Sequence, residues 1–344
     1  MKKKITLIAI FLFFALVSVV GCQIQPNEIY EESASLFAMD TYMTFQIYGD
    51  NNKDLRKVLN GTKELIVNYE KKWSVTDSES EIYLLNHSSG KEVEVSDETI
   101  ALLQYAKTAA SDTNGNFDPT IYPIVKDWGF TTGEYKIPQE ERIHELLAYV
   151  NYQNIKIDGN RVVIPSHYEL DLGAVIKGYV GDEIIELWKQ NNVSYGILNL
   201  GGNVQTLNQK GKEDWKVGIR DPFNKQSVAV VSVNDKAIIT SGSYERYFVG
   251  EDGNTYSHII DPKTGIPVNN GLLSVTIVSE EGRKCDALST SLFVMGIDKS
   301  INYWKVRKDF DFVILSEDKR IIVSENIKDQ IEIKDDSWKL EVIK

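Results

Sequence analysis

The stretch "LDLGAVIKGYVGDEI", residues 170–184, has the apolar spacing of an amphipathic helix, yet glycines interrupt it. Glycine inside a helix costs about 1 kcal/mol relative to alanine, so Gly173 and Gly178 need a physical reason. One interpretation is a helix start with a closely packed face. The other is that the backbone approaches a ligand here, with Asp171 and Lys177 flanking it.

The N-terminus has the order of an export signal. Lys2, Lys3 and Lys4 precede an apolar run over residues 5–20, and the sequence "VVGC" ends at Cys22. The run is shorter than the ~20 residues of a comfortable membrane span, which favours a signal peptide. Small residues before a cysteine resemble the bacterial lipobox, in which the cysteine is lipidated and becomes the mature N-terminus. An uncleaved membrane anchor is the alternative.

These features predict the organisation of the whole chain. We expect a lipid anchor at Cys22 and a protein held on the extracytoplasmic side of the cell membrane. The predicted parts are a signal peptide over residues 1–21, a lipid-anchored tether over residues 22–35, and one domain over residues 36–344.

Composition excludes several classes of function. The net charge is −12 with no basic cluster after the first residues, so a nucleic-acid partner is not expected. Once Cys22 is lipidated only Cys285 is left, which rules out an internal disulfide and a cysteine metal site. The four histidines lack the i, i+4 spacing of a zinc helix, so a bound metal should be a hard cation with oxygen ligands.

Periodicity along the chain predicts an α+β domain. Alternation in "YMTFQIYG" indicates a strand ending at Gly49, and residues 54–73 have helical spacing. Ser96 has the position of an N-cap for a second helix. Strands dominate the C-terminal third, where "CDALSTSLFVMG" indicates a helix closed by Gly296. Helices and strands do not alternate regularly, which favours a mixed or antiparallel sheet over a doubly wound fold.

Asp286 and Thr290 are candidates for metal ligands. They are four residues apart, so a helix places the carboxylate and the hydroxyl on one face. Their neighbours are apolar, and a buried carboxylate is costly unless it is paired, hydrogen-bonded or bound to a metal. An N-cap role for Asp286 is the alternative. Mg²⁺ suits the metal interpretation, because it binds few carboxylates and keeps places for water and phosphate oxygens.

Two loops have side chains suited to ligand binding. In "YSHIIDPKTGIPV", residues 256–268, His258 precedes a turn that would hold its ring rigidly. In "NGNFDPTIYPIVKDWGF", residues 114–130, Phe117 and Asp118 precede a proline that stiffens the loop. An aromatic ring and a carboxylate there would suit a planar, polar ligand. A loop with a tucked aromatic is the alternative.

Several stretches together resemble one family, the bacterial FAD:protein FMN transferases of the ApbE type. The match covers residues 39–296 in the family's order. The stretches are "MDTYMTF", "SESEIYLLN", "GNFDPTIYPIVKDWGF", "DLGAVIKGYVGD", "NLGGNV", "TSGSYERYF", "SHIIDPKTGIPV" and "DALSTSLFVMG". The resemblance implies a compact, T-fold-like α+β architecture. It also implies Mg²⁺-dependent transfer of the FMN half of FAD to a threonine or serine of a target protein, with release of AMP.

The resemblance also implies roles for individual residues. The family's metal ligands are matched by Asp286, Thr290 and the backbone carbonyl of Ala174. His258 matches a histidine at the reacting end of the family's site. There His258 or a nearby carboxylate would accept the proton of the acceptor hydroxyl. The stretches that match FAD contacts contain Met39, Asn116, Phe117, Asp118, Asp171, Lys177 and Ile260. Family acceptors are often subunits of membrane redox complexes, so such a subunit is the expected partner.

Three positions depart from the family's usual pattern. Asp40 stands where the family often has glycine, Ser289 where it often has alanine, and Val75–Thr76 where some members have an aromatic near FAD. Two other functions use similar residues. One is Mg²⁺-dependent hydrolysis of FAD to FMN and AMP, and the other is capture of flavin by a lipoprotein without catalysis.

Overall fold

The computed structural model describes residues 29–224 and 226–344. A nine-stranded sheet forms the centre, with the strand order β1-β2-β6-β7-β10-β13-β14-β15-β17. Neighbouring strands in it are antiparallel except β15 and β17, which are parallel. The predicted α+β class with a mixed sheet is confirmed. The strands are Tyr30–Ala38 (β1), Thr41–Gly49 (β2), Val93–Glu94 (β3), Lys156–Asp158 (β4), Arg161–Val163 (β5), Tyr195–Leu200 (β6), Asn203–Leu207 (β7), Trp215–Arg220 (β8), Ser227–Val233 (β9), Ala237–Gly242 (β10), Tyr247–Val249 (β11), Thr255–Ser257 (β12), Leu272–Ser279 (β13), Asp311–Ser316 (β14), Arg320–Ser324 (β15), Ile331–Ile333 (β16) and Lys339–Ile343 (β17).

Two helix boundaries lie where local sequence signals predict them. The Ser96 side chain accepts a hydrogen bond from the Thr99 N–H, as expected of an N-cap, and Gly296 follows the last residue of the "CDALSTSLFVM" helix. The α-helices are Asn52–Trp73 (α1), Glu81–Asn86 (α2), Asp97–Asp112 (α3), Tyr122–Asp127 (α4), Glu140–Leu147 (α5), Gly173–Gln190 (α6), Gly282–Met295 (α7) and Ile297–Arg307 (α8).

Each face of the large sheet buries its own hydrophobic core. Side chains alternate between the faces along each strand, so Leu198 and Ile239 point toward the helices while Val204 and Ile238 point the other way. The helical face packs against α1, α6 and α7, and α3 packs in turn on α6 and α7. A three-stranded sheet, in the order β16-β9-β8, covers part of the opposite face.

The predicted tether over residues 22–35 is too long at its C-terminal end. Tyr30 begins β1, which pairs in register with β2 over its full length. Alternation of partly buried and exposed residues in β1 is the physical signal of a strand at the sheet edge. The predicted signal peptide and Cys22 lie outside the described residues. No helix in residues 29–224 and 226–344 is long and apolar enough to cross a membrane.

Candidate functional site

The start of α6 is fastened to the loop over residues 114–121. The Asp171 N–H donates to the carbonyl of Pro119 at 2.8 Å, and the Asp171 carboxylate accepts from the Gly173 N–H at 2.7 Å. Burial raises the pKa of Asp171. The Gly173 hydrogen bond opposes this rise most strongly, and the charges of Arg246 and Lys177 oppose it less. The loop over residues 114–121 therefore lies at the entrance to this helix.

Helices α6 and α7 cross with their backbones in contact. A Cβ atom placed on Gly178 would lie 2.3 Å from the carbonyl oxygen of Gly282, and one on Gly282 would lie 2.7 Å from the carbonyl oxygen of Gly178. A Cβ on Gly181 would lie 2.2 Å from the Gln205 side chain. The close-packing interpretation of the opening stretch is correct for Gly178, because a side chain there would push the two helices apart, and a side chain at Gly181 would displace Gln205 of β7.

This crossing brings Asp286 of α7 against α6. Its Oδ2 accepts from the Gly178 N–H at 2.8 Å, and its Oδ1 accepts from the Asn203 amide at 3.0 Å. The side chain is 4% exposed. Burial raises the pKa of this carboxyl, and the charge of Lys177 is the largest opposing influence.

The N-cap alternative for Asp286 is wrong. Helix α7 begins at Gly282, so Asp286 lies beyond its first turn. Asp182 of α6 instead accepts from the Gly282 N–H at 2.5 Å and the Arg283 N–H at 3.0 Å. A carboxylate from a neighbouring helix thus performs the capping, which leaves Asp286 for another role.

The predicted metal ligands supply oxygen atoms that fit a hard cation. Thr290 lies one turn after Asp286, and its hydroxyl is 3.0 Å from that of Ser241. In a regular helix the Gly178 N–H would donate its hydrogen bond to the Ala174 carbonyl alone. Here the Gly178 N–H also donates to Asp286, so the Ala174 carbonyl oxygen can accept a further interaction. One carboxylate with neutral oxygens is a set that Mg²⁺ accepts. The described residues contain no group of three or more His, Cys, Asp or Glu side chains able to hold a metal.

His258 is held as a neutral imidazole. Its Nδ1 is 3.1 Å from the Arg246 carbonyl oxygen, which can only accept, so the ring proton sits on Nδ1 and Nε2 is free to accept. Burial, together with the smaller effects of the charges of Arg246 and Lys177, lowers the pKa of His258 to about 4 against the opposing hydrogen bond to the carbonyl. The half-buried ring is therefore a proton acceptor at neutral pH.

Two cations lie close enough to these groups to affect their protonation. Lys177 influences Asp171, His258 and Asp286, although its ammonium has no hydrogen-bond partner among the residues that the structure describes. Arg246 donates one N–H to the Phe130 carbonyl at 2.5 Å. Unused N–H donors of both side chains suit a phosphate-bearing ligand.

The side chains of Phe117 and Asp118 do not face a ligand site. Phe117 is buried in the core beside the helices, and Asp118 is 5% exposed. The Asp118 carboxylate accepts from the Thr120 N–H and hydroxyl at 2.9 and 2.6 Å and from the Tyr152 N–H at 3.0 Å. The alternative of a loop with a tucked aromatic therefore describes these two side chains, and contact of this loop with a ligand stays a prediction. These side chains build the loop.

Asn116 remains at the surface of that loop. Its side-chain oxygen accepts from the Lys263 ammonium at 3.1 Å, and its amide donates to the Thr113 carbonyl at 2.6 Å. This contact joins the loop to the turn that follows His258. Ile260 is buried in a small cluster with Trp128, which supports the same turn.

Met39 lies in the turn between β1 and β2. Met39 and Asp40 have φ values of 48° and 58°, as a two-residue type I′ turn requires. The Met39 N–H donates to the Glu70 carboxylate at 2.6 Å. Thr41 packs against Gly201, where a Cβ would lie 2.1 Å from the threonine hydroxyl oxygen. This turn therefore lies beside the turn between β6 and β7.

Reasoning from sequence missed three contributors to the site. Arg246, Asn203 and Ser241 all lie in stretches whose glycines suggested exposed backbone, "TSGSYERYF" and "NLGGNV". Their contacts with His258, Asp286 and Thr290 join residues far apart in the chain. For Asn203, the position of a polar side chain next to the paired glycines Gly201–Gly202 was the available signal.

Comparison with known proteins finds relatives both in sequence and in structure. The model of the ApbE family matches residues 39–314. An FAD:protein FMN transferase of Klebsiella pneumoniae is 32% identical over 304 residues, covering 87% of this chain and 92% of that protein. An FAD:protein FMN transferase of Treponema pallidum is 32% identical over 288 residues, covering 78% and 79%. The crystal structure of the ApbE protein from Thermotoga maritima superimposes with a TM-score of 0.82 at 32% identity, covering 88% of this chain and 99% of that one.

Proposed function

Because the chain belongs to the ApbE family of flavin transferases, we propose that it transfers the FMN half of FAD to a threonine or serine hydroxyl of a target protein and releases AMP. The observation that carries the proposal is the meeting of Asp171, His258 and Asp286 around the charge of Lys177. These groups come from three distant parts of the chain. A cation, a neutral base and a buried carboxylate suit chemistry on a pyrophosphate.

The proposed reaction balances as a single displacement at phosphorus. The acceptor hydroxyl oxygen bonds to the phosphorus of the FMN half, and the bond from that phosphorus to the bridging oxygen breaks. AMP leaves with the electron pair, and the hydroxyl proton passes to a base. His258 is that base in our proposal, because its Nε2 is free and its ring is neutral at pH 7.

The cationic side chains stabilise the charge that develops on the phosphate oxygens. Lys177 and Arg246 have donors free for this purpose, and Asp171 holds the start of α6 in place between them. We propose that Mg²⁺ is held by Asp286, Thr290 and the Ala174 carbonyl. When bound, such an ion supplies further stabilisation of negative charge on the pyrophosphate.

One incubation distinguishes the candidate functions. The purified domain is mixed with FAD, Mg²⁺ and the extracytoplasmic domain of a membrane redox subunit as the acceptor. Fluorescence that stays on the acceptor in a denaturing gel, with an equal amount of AMP, supports transfer. AMP with free FMN supports hydrolysis, which uses the same base because water can replace the hydroxyl. Unchanged FAD would leave only binding and would contradict the proposal.

We also propose where the enzyme works. The charged N-terminus, the apolar run and the lipobox-like "VVGC" support export and lipidation at Cys22. A tether from Cys22 to β1 would hold the enzyme at the outer side of the cell membrane. An acceptor in a membrane redox complex would then be within reach.

A further inference from the structure

The sheet face opposite Asp286 carries a groove of about 700 Å³. None of the predicted site residues lines it. Its walls come from β1, β2 and β6 on one side and from β8 on the other. The small sheet that contains β8 covers only part of this face, and the groove is the space left beside it.

The wall formed by β8 is a strand edge. The four consecutive residues 216–219 line the groove, although Val217 and Ile219 are buried on one face of β8 while Lys216 and Gly218 are exposed on the other. Residues from both faces of a strand can line one groove only when the edge of that strand borders the groove. In the described part of the chain β8 pairs only with β9, so its second edge has no strand partner. Unpaired N–H and C=O groups in a row bind an extended polypeptide by adding a strand.

The opposite wall leaves room for such a polypeptide. Ser33, Ser35 and Thr44 line it with small hydroxyl side chains, and Ser35 lies directly across from Thr44 in the sheet. Beyond them the same face ends in a cross-strand pair, Phe37 and Tyr42, whose side chains are 70% and 61% exposed. An exposed aromatic pair at one end of a polar strip is typical of a protein-binding surface.

The groove lies behind the candidate site, on the other face of the same sheet. Gly202 and Thr240 line the groove, while the next residues, Asn203 and Ser241, contact Asp286 and Thr290 on the other face. The large sheet itself separates the groove from the candidate site. At the same end of the molecule, Arg220 at the end of β8 pairs with Glu245, the neighbour of Arg246, at 3.4 Å.

We propose that this groove binds the acceptor polypeptide as an extended segment added to the free edge of β8. The segment adjoins the threonine or serine that receives FMN, which reaches the site around the Gly201–Gly202 turn. The inference rests on the proposed function, since a protein-modifying transferase must hold a polypeptide next to its site. Lys216 is the charged side chain among the lining residues, so the fitting segment is neutral or acidic with small side chains.

Filling the groove tests the proposal. Thr44→Trp places a large side chain at an exposed strand position that tolerates aromatics, so the fold should survive. Thr108→Trp is the matched control, at an exposed threonine of α3. The probe is a purified redox-subunit domain that the wild-type enzyme flavinylates. We expect Thr44→Trp to raise KM for this acceptor at least tenfold, with kcat at saturating acceptor and the Kd for FAD unchanged. The control should match the wild type.

Hydrogen exchange supplies an independent measurement. An acceptor whose target threonine is replaced by valine binds without reacting, and it should slow exchange of the amides over residues 216–219. Equal KM for Thr44→Trp and the wild type, or unchanged exchange in β8, would overturn the groove assignment while leaving the proposed function intact. A wild-type enzyme that flavinylates no protein would overturn both.

Other occupants of the groove give different results. If residues 23–28 of this chain fill it, deleting them should speed exchange over residues 216–219 in the absence of acceptor. If a second copy fills it, that exchange should depend on enzyme concentration. Either outcome contradicts binding of the acceptor there.

Discussion

The amide nitrogen of Gly178 lies 2.8 Å from Oδ2 of Asp286, so a backbone group of one helix holds a buried carboxylate of the next. The contact joins residues 108 positions apart. It exists because Gly178 and Gly282 let the two helices touch, and it holds the carboxylate against the backbone of α6. Helix packing and the chemistry of the site therefore depend on the same glycine.

Replacing Asp286 by asparagine should separate its charge from its shape. Both carboxylate oxygens accept hydrogen bonds, and an amide can accept through only one, so we expect a loss of about 1–3 kcal/mol in the free energy of unfolding. Flavin transfer should fall by at least ~100-fold and recover partly at high Mg²⁺, since a bound metal contributes several kcal/mol and 1.4 kcal/mol is about tenfold in rate. Denaturant unfolding and Mg²⁺ titrations of the rate measure the two effects.

The matched control is Asp182→Asn on the same pair of helices. Asp182 caps α7 and pairs with Arg283 at 2.8 Å, so its loss should also destabilise the fold. Added Mg²⁺ should not restore its transfer rate. A folded Asp286→Asn protein with normal transfer in limiting Mg²⁺ would contradict the metal assignment.

Adding one methyl group at Gly178 should disrupt the crossing of α6 and α7. The new Cβ would meet the Gly282 carbonyl oxygen at 2.3 Å, and overpacking of this kind costs about 1–3 kcal/mol. Gly61→Ala in α1 is the control, because its nearest contact would be a Leu187 methyl at 3.8 Å and alanine favours helix. In thermal unfolding, the melting temperature of Gly178→Ala should be lower than that of the wild type, and that of Gly61→Ala should be equal or higher. Equal melting temperatures for Gly178→Ala and the wild type would refute the packing argument.

Lys177 should recognise the phosphates of FAD rather than its ring system. Lys177→Ala is expected to weaken FAD binding at least ~tenfold, about 1.4 kcal/mol, and to change riboflavin binding much less, because riboflavin has no phosphate. Quenching of flavin fluorescence measures both constants. Lys189→Ala, in the last turn of the same helix, should affect neither. Equal losses for FAD and riboflavin would assign Lys177 to helix packing.

His258 should stay neutral far below the usual range of histidine. Its pKa is lowered from 6.5 to about 4, so between these values the unfolded chain binds more protons than the native protein at this site. The contribution of this group to stability is therefore complete above pH 6.5 and declines as the pH falls toward 4. Imidazole NMR of the free protein, with His258→Gln to assign the signal, measures the pKa. Titration near 6.5 would contradict the assignment of a neutral, half-buried ring.

The lipid anchor should depend on the sulfur of Cys22. Cys22→Ser is expected to leave the domain folded but to release it from the membrane fraction, or to leave its signal peptide uncleaved. Metabolic labelling with a fatty acid measures the modification directly. Continued labelling of the mutant would show that the lipid is attached elsewhere.

Much of the fold followed from local pattern in the sequence. Alternation located β2 and helical spacing located α1, while Ser96 and Gly296 marked a helix start and a helix end. Such signals act between residues a few positions apart, where the periods of strand and helix are set by backbone geometry alone. The edge strand β1 was missed in part because its exposed polar residues resemble those of a tether.

The chemistry of the candidate site depended on contacts that no local pattern contains. The sequence by itself supplied the motif stretches, with Asp286 and Thr290 on one helical face and His258 before a turn. Only the tertiary structure showed that Asp286 accepts hydrogen bonds from Gly178 and Asn203. It also showed that Asp118 accepts a hydrogen bond within its own loop. A carboxylate has the same sequence signature in either role. Which role it takes depends on the donors that folding places around it, because a buried charge must be satisfied by whatever lies within hydrogen-bond distance.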